Sequence, residues 1–140
     1  MKSIYLIGSL RNPAVPLLAE DLRFAGFDVF DDWYAAGPEA DDRWRDYENA
    51  RGHTYAQALQ GYAAQHVFRF DKYHLDRCDA AVLLMPCGKS GHLELGYMIG
   101  QGKPGFVLFD EIPERYDVML AFASGVFVDQ SSLTEALGAP

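Results

Sequence analysis

The chain has 140 residues, 49% hydrophobic and 23% charged, which suits a single domain around one core and rules out a largely disordered polymer. Its formal net charge of −8 argues against a nucleic-acid polymer as partner, because affinity for a phosphate backbone comes from Lys and Arg. No apolar run approaches the length of a membrane span, and Ile4 to Ile7 is too short for a signal-peptide core. A cytoplasmic protein with no membrane partner is expected.

Ser3 to Gly8 is short, apolar and closed by glycine, and predicts a buried strand. After the turn-like Ser9 to Pro13, Leu17 to Ala25 predicts a helix with Pro16 at its first turn and Gly26 as its stop. Phe27 to Phe30 predicts a second strand. Asp31 to Gly52 is rich in charge and aromatics and predicts an irregular lid or interface segment. Thr54 to Ala64 and Val67 to Arg77 predict helices. Ala80 to Met85 is the clearest buried strand, followed by a loop from Pro86 to Lys89. Ser90 is placed to cap a helix running to about Gly100. Gly105 to Phe109 and Val126 to Val128 predict strands, and Asp117 to Ala123 and Ser131 to Leu137 helices.

Continuous apolar strands alternating with helices indicate a parallel sheet covered on both faces. The prediction is one doubly wound, flavodoxin-like α/β domain over residues 1–140, with about five strands. In such folds ligands bind beyond the carboxyl ends of the strands, where strand order reverses. That rule selects two loops, Gly8 to Asn12 and Pro86 to Glu94.

Neither cysteine spacing (Cys78, Cys87) nor histidine spacing (His53, His66, His74, His92) forms a metal or redox motif, so no metal and no cofactor are expected. Gly88-Lys89-Ser90 invites a phosphate-loop reading, but the glycine required five residues earlier is Leu83. Lys89 and the amides of the following helix remain an anion-attracting pair.

Glu94 falls in the first turn or so of the predicted helix, where partial positive charge favours a carboxylate. Such a carboxylate beside a cleft can attack an anomeric carbon, although acidic residues also occupy first turns for stability alone. Asp71, on the helix before the central strand, is a second carboxylate; glycosidic cleavage with retention uses such a pair. Alternatively it is a surface charge paired with a lysine. Tyr5, inside the first strand, needs a hydrogen-bond partner for its phenol. Trp33 and Trp44 are suited to stacking on a base or to packing under a loop. Arg11 is either a phosphate ligand or a solvated surface cation.

Gly91-His92-Leu93-Glu94-Leu95-Gly96-Tyr97-Met98-Ile99-Gly100-Gln101-Gly102-Lys103-Pro104 resembles the signature of nucleoside 2-deoxyribosyltransferases. The resemblance implies that Glu94 is the nucleophile. It implies that Asp71, eight residues before Asp79, is the acid/base toward the leaving base. It also implies that Tyr5 helps to hold the nucleophile. It covers about half the chain, the first dozen residues and about Asp71 to Phe109. Where many members carry an acidic residue or serine six positions before the nucleophile, this chain has Gly88, so that contact is missing or supplied by Ser90 or Lys89. Gly8-Ser9-Leu10-Arg11 is similar to the phosphate-binding loop of 2′-deoxynucleoside 5′-phosphate N-hydrolases, which makes Gly8, Ser9 and Arg11 candidate substrate-binding residues.

The function expected is cleavage of the N-glycosidic bond of a (deoxy)nucleoside or nucleoside 5′-phosphate, with Trp33 or a neighbouring aromatic stacking the base. Tyr5 and helix amides would hold Glu94 ionised, and the sugar would pass to another base. Rival readings are hydrolysis of the same bond (in a nucleotide or at the nicotinamide ribose of a dinucleotide), a non-catalytic nucleotide sensor, and a structural subunit with a decayed site. The implied partner is a small nucleoside or nucleotide. A homo-oligomer is expected, with the tail Leu137 to Pro140 as an arm toward a neighbouring site.

Overall fold

A computed structural model describes residues 1–138. The elements in chain order are β1 (Ser3–Ile7), α1 (Ala14–Phe24), β2 (Asp28–Phe30), a 3-10 turn (Asp32–Ala36), α2 (Ala40–Ala50), α3 (Tyr55–Leu59) and α4 (Tyr62–Arg77). Then follow β3 (Ala80–Leu84), α5 (Lys89–Gly100), β4 (Gly105–Leu108), a second 3-10 turn (Val118–Phe122), β5 (Gly125–Phe127) and α6 (Gln130–Gly138). The five strands form one parallel sheet in the order β2-β1-β3-β4-β5, the doubly wound arrangement expected. Strand order reverses between β1 and β3, the position beyond whose carboxyl ends sheets of this kind bind ligands.

Period-two alternation divides the core into two layers. Ile4 and Leu6 of β1 and Ala80, Val82 and Leu84 of β3 point to one face, against Leu18 and Leu22 of α1 and Leu133 and Leu137 of α6. Tyr5 and Ile7 of β1 and Ala81 and Leu83 of β3 point to the other, against Leu75 of α4 and Leu95 and Met98 of α5. Tyr5 therefore faces the α4/α5 side because of its parity in β1.

The segment Asp31 to Gly52 departs from expectation. It is not irregular: it holds the first 3-10 turn and the eleven-residue α2. The sequence signal was absent because α2 buries only Glu48 and so has no apolar stripe. Its support is ionic, with Asp41 and Asp42 in the first turn and pairs Arg43–Glu39 (3.3 Å) and Arg45–Asp42 (3.6 Å). The Glu48 carboxylate accepts a hydrogen bond from Arg51 Nη1 at 3.2 Å at the helix end.

Other boundaries move for local reasons. α1 begins three residues before Leu17, since Asn12 Oδ1 accepts a hydrogen bond from the Ala14 amide at 3.0 Å. The break expected at residues 65 and 66 falls at Gln60 and Gly61, after a capping box between Thr54 and Gln57 has started the short α3. In place of the helix expected over Asp117 to Ala123, Val118–Phe122 is a 3-10 turn capped by Asp117. The sequence expectation for the tail partly falls outside the described residues, at Ala139 and Pro140; Leu137 is fully buried in the core. Among the described residues, no helix is long and apolar enough to cross a membrane.

Candidate active site

On the α4/α5 side of the sheet, Tyr5 Oη donates a hydrogen bond to Glu94 Oε2 at 2.8 Å. Tyr5 is fully buried, with Ala81 beside it on β3 and Phe30 on β2 meeting its ring edge-on at 5.1 Å between centroids. The small alanine leaves room for the phenol, and Phe30 limits its swing. Phe30 is in turn stacked on His74 of α4 at 3.8 Å. Burial, reinforced by the charges of Glu94 and Asp71, holds the Tyr5 phenol far above its ordinary range, so it acts as a donor.

α5 brings Glu94 to this phenol through a close approach at Gly91. A Cβ there would lie 2.3 Å from Cys87 Sγ, 3.0 Å from Ile7 Cγ2 and 3.1 Å from Leu83 Cδ1. Only a residue without a side chain lets the first turn of α5 settle on β1 and β3. The signature resemblance contains Gly91, but nothing in its spacing marked it as a packing requirement.

Glu94 is the sixth residue of α5, in its second turn, and not in its first. The hydrogen bond it accepts comes from Tyr5, not from the helix amides. Its carboxyl is accordingly not held ionised by the helix start. Burial, with Asp71's charge assisting and the Tyr5 bond opposing, raises it to about 7. Burial likewise raises Asp71 to about 6. Asp71 is half-buried and has no ion-pair partner among the described residues, because its neighbour Lys72 turns to Asp76 at 2.8 Å. The lysine-paired alternative for Asp71 does not hold. Cys87 lies half-buried beside this pair, its thiol raised by burial and by the charge of Glu94.

The two loops follow the carboxyl ends of β1 and β3. α5 opens at Gly88, which has no side-chain cap bond; Ser90 lies inside the first turn and is not the cap. Gly88, Lys89 and Ser90 are all exposed. In the first loop, Ser9 Oγ accepts a hydrogen bond from the Arg11 amide at 3.1 Å. A Cβ on Gly8 would meet Val15 Cγ2 at 2.8 Å, so this glycine permits the α1 contact as well as the turn. The Arg11 guanidinium reaches Asp42 of α2 at 3.1 Å and borders a surface hollow that also holds Glu39, Arg43 and Asp46. Arg11 is thus tethered to acidic neighbours rather than free. Trp33 donates its indole N–H to the Leu6 carbonyl at 2.8 Å and packs against both core layers. That hydrogen bond anchors the segment after β2 at the carboxyl end of β1. Trp44 meets Tyr55 edge-on. Among the described residues, no group of three or more His, Cys, Asp or Glu side chains is placed to hold a metal ion.

The sequence matches no protein-family model and no curated protein. Solved structures do match. A 2-deoxyribosyltransferase of Bacillus psychrosaccharolyticus superposes with a TM-score of 0.62 at 19% identity, over 94% of this chain and 90% of that one. A conserved protein of Enterococcus faecalis V583 gives 0.62 at 19% identity, over 96% of each chain. A CMP N-glycosidase of Clostridium botulinum gives 0.55 at 13% identity, over 99% of this chain and 100% of that one. Over nearly its whole length, the chain has the fold seen in these deoxyribosyltransferase and N-glycosidase structures.

Proposed function

We propose that this chain cleaves the N-glycosidic bond of a nucleoside or nucleoside 5′-phosphate, with Glu94 as nucleophile and Asp71 as acid/base. The observation that carries the proposal is the buried Tyr5–Glu94 hydrogen bond with Asp71 near enough to raise the Glu94 carboxyl. Two carboxyl groups raised by burial, set at the switch point of an α/β sheet, are suited to acid–base and nucleophilic work.

In the first step a Glu94 oxygen bonds to C1′ as the C1′–N bond breaks, and the departing base takes the Asp71 proton. Positive charge develops on the sugar, which an ionised Glu94 stabilises. Tyr5 holds the carboxylate toward C1′ and disperses its charge. In the second step an acceptor attacks C1′, Asp71 takes the acceptor's proton, and Glu94 leaves as carboxylate with net retention. The acceptor is another base in a transferase and water in a hydrolase. A fold shared with both a deoxyribosyltransferase and an N-glycosidase supports each reading, and the exposure of Gly88, Lys89 and Ser90 favours access of water.

Second copies of the chain are the macromolecular partner we propose. The α4/α5 face exposes Val67, Phe68 and Leu93, apolar groups that a self-association surface would cover.

The deciding experiment is chromatography of free base released from a panel of nucleosides and 5′-nucleotides, with and without an acceptor base. Release is expected, and acceptor dependence separates transfer from hydrolysis. Binding of nucleotides without any release of base would overturn the proposal in favour of a sensor.

A further inference from the structure

We propose that Asp76, Tyr97, Gln101 and Lys103 form a positioning clamp that sets the spacing of α4 and α5, and through it the placement of Asp71 relative to Glu94. Asp71 and Glu94 stand on these two helices. Of the sixteen residues of α4 only Leu75 is buried, with Phe70 and His74 packed on Phe30 of β2. Apolar packing of this kind is non-directional and leaves the register of α4 on α5 to other contacts. Acid–base chemistry between two helices requires placement to about 0.5 Å, which calls for directional bonds.

Those bonds exist at one end of α4. The Asp76 carboxylate accepts from Tyr97 Oη at 2.5 Å and from Gln101 Nε2 at 3.0 Å, both on Oδ1. Lys72 Nζ donates to Oδ2 at 2.8 Å and lies 5.6 Å from the centre of the Tyr97 ring. These hydrogen bonds hold the Asp76 carboxyl well below the usual carboxylate range. Gly102, at φ +81°, reverses the chain after α5 and sends Lys103 back toward α4. There Lys103 Nζ donates to the backbone carbonyls of Leu75 at 3.0 Å and Asp76 at 2.7 Å. Those carbonyls belong to the last turn of α4, which lacks intrahelical donors, and a cation suits that helix end.

Asp76 is five residues beyond Asp71, and Tyr97 three beyond Glu94, so at 1.5 Å per residue the clamp lies about 7 and 5 Å along the helices from the reacting groups. It touches neither. Its members are largely exposed, and exposed ion pairs add little stability, so its value is geometric. The conspicuous Tyr97 and Gly102-Lys103 of the sequence motif thereby acquire a role that the chemistry at Glu94 leaves unexplained.

The test uses Tyr97→Phe, Lys103→Met and Lys103→Arg in the full chain. Carboxyl carbons of Asp71 and Glu94 are titrated by NMR, a readout that needs no substrate. Loosening α4 admits water, so the Glu94 midpoint should fall from about 7 by about half a pH unit or more in Tyr97→Phe and Lys103→Met. Lys103→Arg should restore most of the shift. The kinetic arm rests on the proposed function: kcat should fall about tenfold, with KM within about twofold and near-UV circular dichroism unchanged. Unmoved midpoints overturn the clamp, as does a shift that comes only with loss of the near-UV signal. If the wild type releases no base from any substrate, the proposed function fails, and the titration still decides the clamp.

Discussion

Tyr5 Oη and Glu94 Oε2, separated by 89 positions in the chain, are joined at 2.8 Å inside a site dry enough to raise the carboxyl to about 7. The hydrogen bond lowers that value and burial raises it, with burial prevailing. Tyr5→Phe removes the opposing contribution. With Asp71 near 6 and Glu94 near 7, the alkaline limb of the kcat/KM profile should move to higher pH, with turnover reduced about 10- to 100-fold at neutral pH. An unmoved alkaline limb would separate Tyr5 from the titration of Glu94.

Glu94→Gln should abolish most turnover yet stabilise the fold in alkaline solution. The folded-state value of Glu94 is raised, so its contribution to stability is fully present below its ordinary value of 4.5 and is lost as pH rises through about 7. A neutral amide that keeps the Tyr5 bond escapes that loss. The variant should gain on the order of 3 kcal/mol at pH 8 and roughly nothing at pH 4, measured by urea unfolding at both. An equal effect at the two pH values would show that the carboxyl is not strained by burial.

Burial raises the Asp71 carboxyl to about 6 and the Glu94 carboxyl to about 7. The forward step needs Asp71 protonated and Glu94 ionised, the reverse of their resting order. A narrow bell-shaped kcat/KM profile between about 6 and 7 is therefore expected. Asp71→Asn should leave a single rise with pH set by Glu94 alone, at or just below about 7, since Glu94 loses a like-charged neighbour. Substrates with activated leaving groups should lose least. A profile identical to wild type would exclude Asp71 from proton transfer.

Arg11 is held by Asp42 at 3.1 Å, next to Glu39 and Asp46. A 5′-phosphate would have to compete with those carboxylates. Asp42→Ala should lower KM for 5′-nucleotides about 3- to 10-fold while leaving nucleosides unchanged, and Arg11→Ala should raise KM for nucleotides alone. Equal responses of nucleosides and nucleotides in either variant would take the phosphate role away from Arg11.

Gly91→Ala forces a Cβ to within 2.3 Å of Cys87 Sγ and 3.0 Å of Ile7 Cγ2. The variant should lose about 1–3 kcal/mol of stability by thermal unfolding, and Cys87→Ala in the same chain should recover part of that loss. A gain in stability, as expected for alanine in an unhindered helix, would contradict the close approach of α5 to the sheet.

The sequence by itself determined the strands. Continuous apolar runs such as Ala80 to Leu84 are buried on both sides wherever they pair, and parity in β1 separates Tyr5 and Ile7 from Ile4 and Leu6. It also singled out Glu94, Asp71 and Tyr5 through the resemblance of their surroundings to a known signature. The helix α2 was illegible because its stability comes from ion pairs and not from an apolar stripe. Tertiary structure alone decided the electrostatics of the site. A carboxylate at a helix start should titrate low, but desolvation grows as β1, α4 and α5 close around Glu94, and neighbours 23 and 89 positions away cannot be read from local spacing. The tether between Arg11 and Asp42 and the clamp at Asp76 have the same origin: each depends on where two separate helices or loops come to rest, which only packing sets.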